Sequence, residues 1–324
     1  MTDLDIVKFA QEGQFDVLTK IFNTNHQIYE YIIRNALFWS VRNGHYKVVE
    51  LLLLNGADIG FIYNKYLPRR FYKQQIMNIA VLSDDIETIN ILIKYKADIN
   101  YLNPLHTATK IGNIESVKHL ISIKADIEPG HDFIESGLLY NPIRYNDFDI
   151  LQLLIQSKVN INNQYPIAPH AYFRPILNDN ISYLKLAAQY SNFNCVQLLL
   201  EYKSVIDPKA LLATCINGNT DIARLLINAK TNVNIYNSDL NYIFKAAEYN
   251  HPQIIELLID AGCIMNSFIG YQALLSACDK NRLSVVKALI STKISIQCII
   301  NHSNVITRLY RYPEITEYIK SIIC

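Results

Sequence analysis

Several motifs that carry chemistry are missing from this sequence. It has no G-x-G-x-x-G, no G-x-x-x-x-G-K-[ST] and no G-x-S-x-G, so nothing predicts a dinucleotide site, a phosphate loop or a serine nucleophile. The eight histidines form neither H-x-x-x-H nor H-E-x-x-H. We therefore expect no metal, no cofactor and no enzymatic activity, and a cryptic enzyme ranks last among the functions considered.

The sequence also has no excess of positive or negative charge and no long apolar run. Lys and Arg number 30 against 29 Asp and Glu, which leaves a net charge of +1 and argues against nucleic acid or an anionic membrane as partner. The longest strongly apolar run, Val48 to Leu54, contains Glu50 and is far shorter than the roughly 20 residues of a membrane span. The first residues carry acids and no long apolar stretch, so no signal peptide is expected and the protein should be intracellular.

Cysteine, glycine and proline are sparse. The six cysteines all lie in the second half of the chain and none has C-x-x-C spacing, so we expect free thiols in a reducing compartment. Cys215 and Cys278 fall in small-residue positions of predicted helices and are interpreted as core residues rather than nucleophiles. Only ten glycines and ten prolines are spread along the chain, which argues against a disordered linker.

What the sequence does contain is a repeat. The block Ser116 to Ile127, SVKHLISIKADI, has relatives along the chain, such as TINILIKYKADI at Thr88 to Ile99 and IARLLINAKTNV at Ile222 to Val233. A Gly or Lys marks the register of each copy: Gly56, Lys96, Lys124, Lys158, Lys203, Lys230, Gly262 and Lys293. The separations run from 27 (Lys203 to Lys230) to 45 (Lys158 to Lys203) and scatter around the roughly 33-residue period of one known repeat class.

Each copy predicts two short antiparallel helices. In the copy at 103–127, Asn103 can cap the first helix, Pro104 suits its first position, and Leu105, Ala108 and Thr109 share a face. Gly112 can end that helix in the left-handed conformation, and Asn113 can cap the second. The second helix has one apolar stripe: Ile114, Val117, Leu120 and Ile121. Neither helix could bury its stripe alone, so stacked neighbours must form a continuous core.

The run from Pro104 to Ala108, with Gly112 and the turn at 124–126, resembles the ankyrin repeat, whose signature is T-P-L-H-x-A. The resemblance covers nearly the whole chain and implies an all-α fold, a single ankyrin-repeat solenoid over residues 1–324 made of stacked helix-turn-helix units with hairpin loops. It implies a degenerate N-terminal unit at 1–26, about eight repeats at 36–297 and a degenerate C-terminal capping unit at 298–324. It also gives Pro104, His106 and Gly112 structural roles, since the family histidine bonds between hairpin loops.

The sequence departs from the family pattern at the hairpins. Lysine replaces the usual glycine in six of the eight copies, and a left-handed lysine is strained by roughly 1 kcal/mol, so we expect another turn geometry there. The style, rich in Ile, Asn and Lys, resembles the ankyrin arrays encoded by giant DNA viruses of the mimivirus kind. That resemblance implies a place in the host cytoplasm and a role in virus–host interaction.

The resemblance also implies where partners bind. On the concave face, outward positions vary and touch partners; here they are Thr107 with Ile111, Trp39 with Asn43, Leu186 with Tyr190, Lys245 with Tyr249, and Ser276 with Lys280. Two insertions, at residues 61–77 and 163–180, exceed the period and mix aromatics with Arg and Pro. Trp39 covers a neighbouring repeat or anchors a partner, and each insertion is a binding loop or tolerated drift; both alternatives stay open at this point.

Two candidate patches follow. The favoured one joins Trp39 and Arg42 to Arg69, Arg70, Phe71 and Tyr72 in the first insertion; its competitor in the second insertion comprises Tyr165, Tyr172, Phe173 and Arg174. The predicted function is that of a monomeric, non-catalytic scaffold that binds a protein partner, with no nucleic acid or membrane. The alternative is an adaptor that recruits substrates to a host ubiquitin ligase or a similar machine.

Overall fold

A computed structural model of the chain describes residues 3–24, 28–59, 76–127, 137–166, 180–235, 241–264, 267–290 and 311–323. Within these ranges the chain forms short α-helices and one two-stranded β-ribbon. The helices follow one another in pairs joined by tight turns, which confirms the predicted all-α repeat fold. None of the helices in these ranges is long and apolar enough to cross a membrane.

The first compact unit spans Met1–Asn160. Its first helices lie side by side in order, and most of its second helices pack on one another in the same way. Each pair therefore buries its apolar stripe against its neighbours. The helix pairs are α1 (Asp3–Gln11) with α2 (Phe15–Thr24), α3 (Glu30–Arg42) with α4 (Tyr46–Leu54), α5 (Ile76–Leu82) with α6 (Ile86–Lys94), α7 (Pro104–Ile111) with α8 (Ile114–Ser122), and α9 (Tyr140–Tyr145) with α10 (Phe148–Gln156).

The second compact unit spans Ile161–Cys324 and repeats the same packing, again with first helices on first helices and second on second. It begins with the ribbon of β1 (Gln164–Pro166) and β2 (Asn180–Ser182). Its helices are α11 (Tyr183–Gln189) with α12 (Phe193–Glu201), α13 (Pro208–Asn217) with α14 (Thr220–Asn228), α15 (Tyr242–Glu248) with α16 (Pro252–Asp260), α17 (Ser267–Asp279) with α18 (Leu283–Ile290), and the last helix α19 (Pro313–Ile323).

The β-ribbon was not predicted. Its strands are antiparallel, with Tyr165 opposite Ile181, and they lie at the two ends of the second insertion. Strands of three residues carry no alternating pattern that a sequence reading could detect, because such a pattern needs four residues or more.

Helix α7 begins and ends at the residues that its sequence suggested. The Asn103 side chain accepts a hydrogen bond from the His106 backbone N–H at 2.9 Å, which confirms the predicted cap, and Pro104 is the first helical residue. Gly112 follows the helix with φ +79°, in the left-handed region. Leu105, Ala108 and Thr109 are all buried on one face.

Helix α8 buries a narrower stripe than predicted. Val117 and Leu120 are fully buried, but Ile114 and Ile121 are only half-buried. Ser116 is buried beside Val117. Its hydroxyl donates a hydrogen bond to the Asp84 carboxylate of the preceding helix pair at 2.7 Å. A polar residue thus joins the core once its hydrogen bond is satisfied.

The turns after the second helices contradict one expectation. Five lysines adopt the left-handed conformation with φ between 62° and 68°: Lys96, Lys124, Lys158, Lys203 and Lys230. The prediction of another geometry is wrong for these five, and Lys293 lies outside the described residues. At Lys124 the left-handed residue lets its own N–H bond to Ile121 O (3.0 Å) and the Ala125 N–H bond to Leu120 O (2.9 Å). This is the Schellman pattern, and its two bonds offset the roughly 1–2 kcal/mol that the conformation costs.

In six of the helix pairs the residue before the second helix plays one of two roles. Asp85, Asp147 and Asn219 cap their own helix by accepting from the backbone N–H three residues later. His45, Asn113 and His251 make no cap. Each bonds instead to a main-chain carbonyl near the end of the first helix of the preceding repeat. These bonds are His45 Nε2 to Gln11 O (3.0 Å), Asn113 Nδ2 to Val81 O (3.1 Å) and His251 Nε2 to Ile216 O (3.0 Å).

The predicted cap at Asn113 is therefore wrong. The chemistry of each side chain explains whether it caps its own helix or bonds to the preceding repeat. A carboxylate has no proton to give to a carbonyl, so an aspartate at this position can only accept from its own helix. Histidine carries an N–H that reaches the preceding repeat, and asparagine, which holds both a donor and an acceptor, is found in either role.

A second link between repeats runs along the hairpins. Asn100, Asn162 and Asn234 each follow a left-handed lysine by four residues. The side-chain oxygen of each accepts from a backbone N–H in the next hairpin: that of Asp126 (2.8 Å), Val205 (2.8 Å) or Ile264 (2.6 Å). Sequence reasoning missed these asparagines, although their recurrence at one register position was a usable signal.

Candidate protein-interaction surface

Helix α3 presents an aromatic side chain to the surface at each end. Its core face, which includes Ile32, Leu37 and Val41, is buried, and the helix packs between α1 and α5. Because residues four apart lie on the same side of a helix, Tyr31, Asn35 and Trp39 form one stripe away from that core. Eight residues at about 1.5 Å rise separate Tyr31 from Trp39 by about 12 Å.

Trp39 and Arg42 lie together, as the sequence predicted for the first patch. The Arg42 guanidinium carbon lies 5.3 Å from the centre of the Trp39 ring, within the range of a cation–π contact. The indole also forms a T-shaped contact with the ring of the buried Phe38, with ring centres 5.3 Å apart. Trp39 is half-buried and Arg42 exposed, so the indole is held in place while the arginine faces solvent.

Two tyrosines at the start of α3 were missed by the sequence reasoning. The rings of Tyr29 and Tyr31 stack with centres 5.9 Å apart, and their exposed fractions are 66% and 54%. The spacing of eight residues between Tyr31 and Trp39 could have revealed the stripe. We call Tyr29, Tyr31, Trp39 and Arg42 the α3 surface.

The end of α3 is fixed to its neighbours by hydrogen bonds. Asn43 Nδ2 donates to Gln11 O at 2.8 Å on the preceding pair, and the Ser83 hydroxyl of the following pair donates to Arg42 O at 2.7 Å. Fixing the backbone at this point also limits the motion of Arg42 and Trp39, so less conformational entropy is lost when a partner binds.

Most residues of the two insertions lie outside the described ranges. Arg69, Arg70, Phe71 and Tyr72 lie outside the described residues, and so do Tyr172, Phe173 and Arg174. Tyr165 lies in β1, paired with Ile181. The role of each insertion as a binding loop stays a prediction.

The outward positions expected on the first helices are mostly at the surface. Exposed fractions are 40% at Ile111, 39% at Tyr190 and 47% at Tyr249, whereas Thr107 is half-buried. Leu186 is an exception: it is 3% exposed in α11, which packs on both β2 and α13. An apolar leucine with two neighbouring elements in reach is buried, and the expectation of an outward Leu186 is wrong.

Three of the four thiols that the structure describes, those of Cys195, Cys215 and Cys278, are buried, and that of Cys263 is half-buried. Cys215 and Cys278 are fully buried, which confirms their interpretation as small core residues. Burial raises the pKa of the Cys215 thiol far above its ordinary value and that of Cys263 to about 11, so neither is an activated nucleophile. Among the described residues no three His, Cys, Asp or Glu side chains are grouped in a way that could hold a metal ion.

Comparison with known proteins identifies the repeat. A family model of three consecutive ankyrin repeats matches residues 76–165, 142–237, 184–268 and 211–300, and a model of the single ankyrin repeat matches residues 34–65. Together these matches cover well over half of the chain. The chain belongs to the ankyrin repeat family.

Similar proteins occur in large DNA viruses. The chain is 23% identical to a protein of Acanthamoeba polyphaga mimivirus named as ankyrin repeat protein L72, over 94% of this chain and 87% of that one. It is 27% identical to a fowlpox virus protein named as ankyrin repeat protein FPV014, over 40% of this chain and 29% of the relative. Among solved structures, the human ASB11 ankyrin repeat domain aligns with a TM-score of 0.48 and 18% identity, over 62% of this chain and 85% of that domain.

Proposed function

We propose that this chain is a non-catalytic scaffold that binds a protein partner through the α3 surface. Ankyrin repeats are generally protein–protein interaction modules. The observation that supports this site is the Arg42 guanidinium stacked on the only tryptophan of the chain, beside two exposed tyrosines. Tryptophan, tyrosine and arginine are the residues that most often dominate the binding energy of interfaces.

The chemistry of the surface suggests its partner. Three aromatic rings offer apolar area with little side-chain entropy to lose, and Arg42 offers a fixed positive charge. A segment that carries apolar and acidic side chains would match both. The first insertion, with Arg69 and Arg70, would extend this surface along the concave face. The viral relatives favour a setting of virus–host interaction in the host cytoplasm.

The test begins with affinity capture from host-cell lysate and identification of the captured proteins by mass spectrometry. Each partner is then titrated with the wild type and with Trp39→Ala, Arg42→Ala and Tyr202→Ala. The last variant is a control, since Tyr202 is an exposed aromatic residue that directly follows a second helix, α12, and is not one of the outward positions of the first helices. We expect Trp39→Ala to weaken binding by about 30-fold, the effect of a 2 kcal/mol hot spot. Tyr202→Ala should change the affinity less than twofold.

Fluorescence adds a direct readout, because all tryptophan emission comes from Trp39. Bound partner should shield Trp39 from quenching by acrylamide. Unchanged affinity in both α3 variants would contradict the proposal. If deletion of residues 165–174 then abolished capture, the site would lie in the second insertion instead.

A further inference from the structure

A pocket of about 230 Å³ opens in the second unit, between the ribbon and the hairpin that follows α12. Its apolar wall is formed by Ile161, Leu184, Ile206 and Pro208, of which Leu184 is almost fully buried. The residues that line the pocket all belong to the second unit, and none of them belongs to the α3 surface.

The size of the pocket limits what it can hold. Sites for small molecules and cofactors usually measure roughly 300–1,000 Å³, and an apolar cavity of roughly 150 Å³ accommodates a benzene molecule. A volume of about 230 Å³ therefore suits one long side chain of a partner protein better than a whole cofactor.

The lining contains a carboxylate that lacks a counter-ion. Asp207 is half-buried and accepts hydrogen bonds from two neutral donors, the Ser182 hydroxyl and the Lys209 backbone N–H. Within the described ranges no cationic side chain forms an ion pair with Asp207, and this includes Lys209, which also lines the pocket. Lys203 is exposed outside the lining, where solvent and salt screen its charge. A carboxylate has about four acceptor positions, so Asp207 can take further donors from a cation.

A second wall residue has an unused hydrogen-bonding group. Ser204 is 7% exposed, and its hydroxyl has no hydrogen-bond partner in the described part of the chain. Thr231 and Cys263 hold the same position in the next two repeats, and each donates to a main-chain carbonyl: Thr231 to Leu226 O at 2.6 Å and Cys263 to Val233 O at 3.3 Å. Since a buried unpaired hydroxyl costs free energy, its retention at Ser204 indicates a group that a ligand satisfies.

We propose that this pocket receives the side chain of a lysine from a partner protein. The ammonium group donates to the Asp207 carboxylate and to the Ser204 hydroxyl, and the apolar stem packs on Leu184 and Pro208. A lysine suits this lining because it carries a compact charge at the end of a flexible hydrocarbon stem. The proposal does not depend on the α3 surface, so either can fail without the other.

The probe is the lysine derivative Nα-acetyl-lysine-N-methylamide, added to the full chain labelled with nitrogen-15. The matched norleucine derivative keeps the hydrocarbon stem and lacks the charge. Chemical shifts of the Val205 and Lys209 amides report occupancy, because both residues line the pocket. We expect saturable shifts with the lysine derivative and binding at least about tenfold weaker with norleucine, since hydrogen bonds to a charged group are lost. Equal affinities, or no saturable shift with the lysine derivative, would overturn the proposal.

The other source of an alkylammonium group is a free amine. n-Pentylammonium carries the same charge on a similar stem but has no peptide groups, which can contact the exposed rim at Asn162 and Val205. It should therefore bind more weakly than the lysine derivative. Equal or tighter binding of the free amine would overturn the assignment to a lysine of a protein.

The chain offers a matched pair of variants for the charge. Asp207 caps α13, whereas Asp147 caps α10 and does not line the pocket. Asparagine caps a helix about as well as aspartate, so both substitutions remove a charge and keep the cap. Asp207→Asn should weaken binding of the lysine derivative at least about tenfold, and Asp147→Asn less than about twofold. Equal effects of the two would mean that the general charge of the chain, and not the pocket, governs binding.

Ser204→Ala separates binding from folding. Removal of an unpaired buried hydroxyl should leave the melting temperature of the free chain unchanged or higher. The same change should weaken binding of the lysine derivative several-fold, because the ammonium group loses an acceptor. A lower melting temperature together with unaltered affinity would show that Ser204 is structural, and the proposed contact would be wrong.

Discussion

A lysine ends the second helix in five repeats in a conformation that glycine adopts at much lower cost. The same position is glycine at Gly56 and Gly262, so the backbone requirement is shared and only the residue differs. Each lysine is exposed and takes no part in the core. The strain is therefore local, and removing it should leave the rest of the repeat unchanged.

Lys124→Gly should accordingly raise the free energy of unfolding by about 0.5–1 kcal/mol, the relief of left-handed strain less the added entropy of an unfolded glycine. Lys118→Gly, six residues earlier and inside α8, should lower it by about 1 kcal/mol, because glycine is a poor helix former. Urea denaturation of both variants measures the two effects. If the signs agreed, the left-handed turn at Lys124 would not be a source of strain.

At the scale of the helix pair, the turn between helices holds a contact across repeats. In the second unit a Cβ added to Gly218 would overlap the ring of His251, which bonds to Ile216 O beside that glycine. Gly262 has a similar positive φ of +81°, but an added Cβ there would meet no atom within 4 Å. Substitution of Gly262 by alanine therefore measures the free-energy cost of the positive φ alone, and substitution of Gly218 adds the cost of the contact with His251.

Both Gly218→Ala and Gly262→Ala should destabilise the chain by about 1–2 kcal/mol through their positive φ. Gly218→Ala should cost about 1 kcal/mol more, because the methyl group displaces His251 and its hydrogen bond to Ile216 is lost. Thermal and urea denaturation provide the comparison. Equal losses in the two variants would mean that His251 moves aside freely and that its bond contributes nothing measurable.

Helix ends could be predicted from the sequence where a residue type has only one structural role. Pro104 and Gly112 delimit α7 because their backbone preferences are narrow. Asn113 was misjudged because an amide can accept from its own helix or donate to the preceding repeat, and only the packed neighbour decides. The β-ribbon was missed because its strands are short and their pairing joins the two ends of an insertion. The α3 surface was predicted at Trp39 and Arg42 from residue type, but the stacked tyrosines depend on how α3 begins, which the sequence pattern left open.

At the scale of the whole molecule, stability should be a sum of repeat and neighbour contributions. Leu120 is fully buried in α8, so Leu120→Ala should cost about 2–5 kcal/mol. Thr107→Ala, at a half-buried outward position of the adjacent helix, should stay within about 0.5 kcal/mol.

Native-state hydrogen exchange tests how far the Leu120→Ala loss spreads. Amides of α7 to α10 should exchange faster in this variant, and those of α15 to α18 should be nearly unaffected, because each repeat contacts only its neighbours. Uniform acceleration over every helix would indicate a single cooperative unit instead.

The bonds from His45, Asn113 and His251 have one further consequence, for how such a chain can change its length. Each ends on a main-chain carbonyl, and the residues that supply it are a polar amide, Gln11, and two β-branched aliphatic residues, Val81 and Ile216, so the bond does not depend on the side chain of the acceptor residue. Every residue type carries that acceptor. A repeat that is copied or deleted in the gene brings its own donor and meets the same acceptor in whichever neighbour it acquires. The new junction needs no compensating substitution at this bond, which favours growth and loss of whole repeats over their gradual redesign.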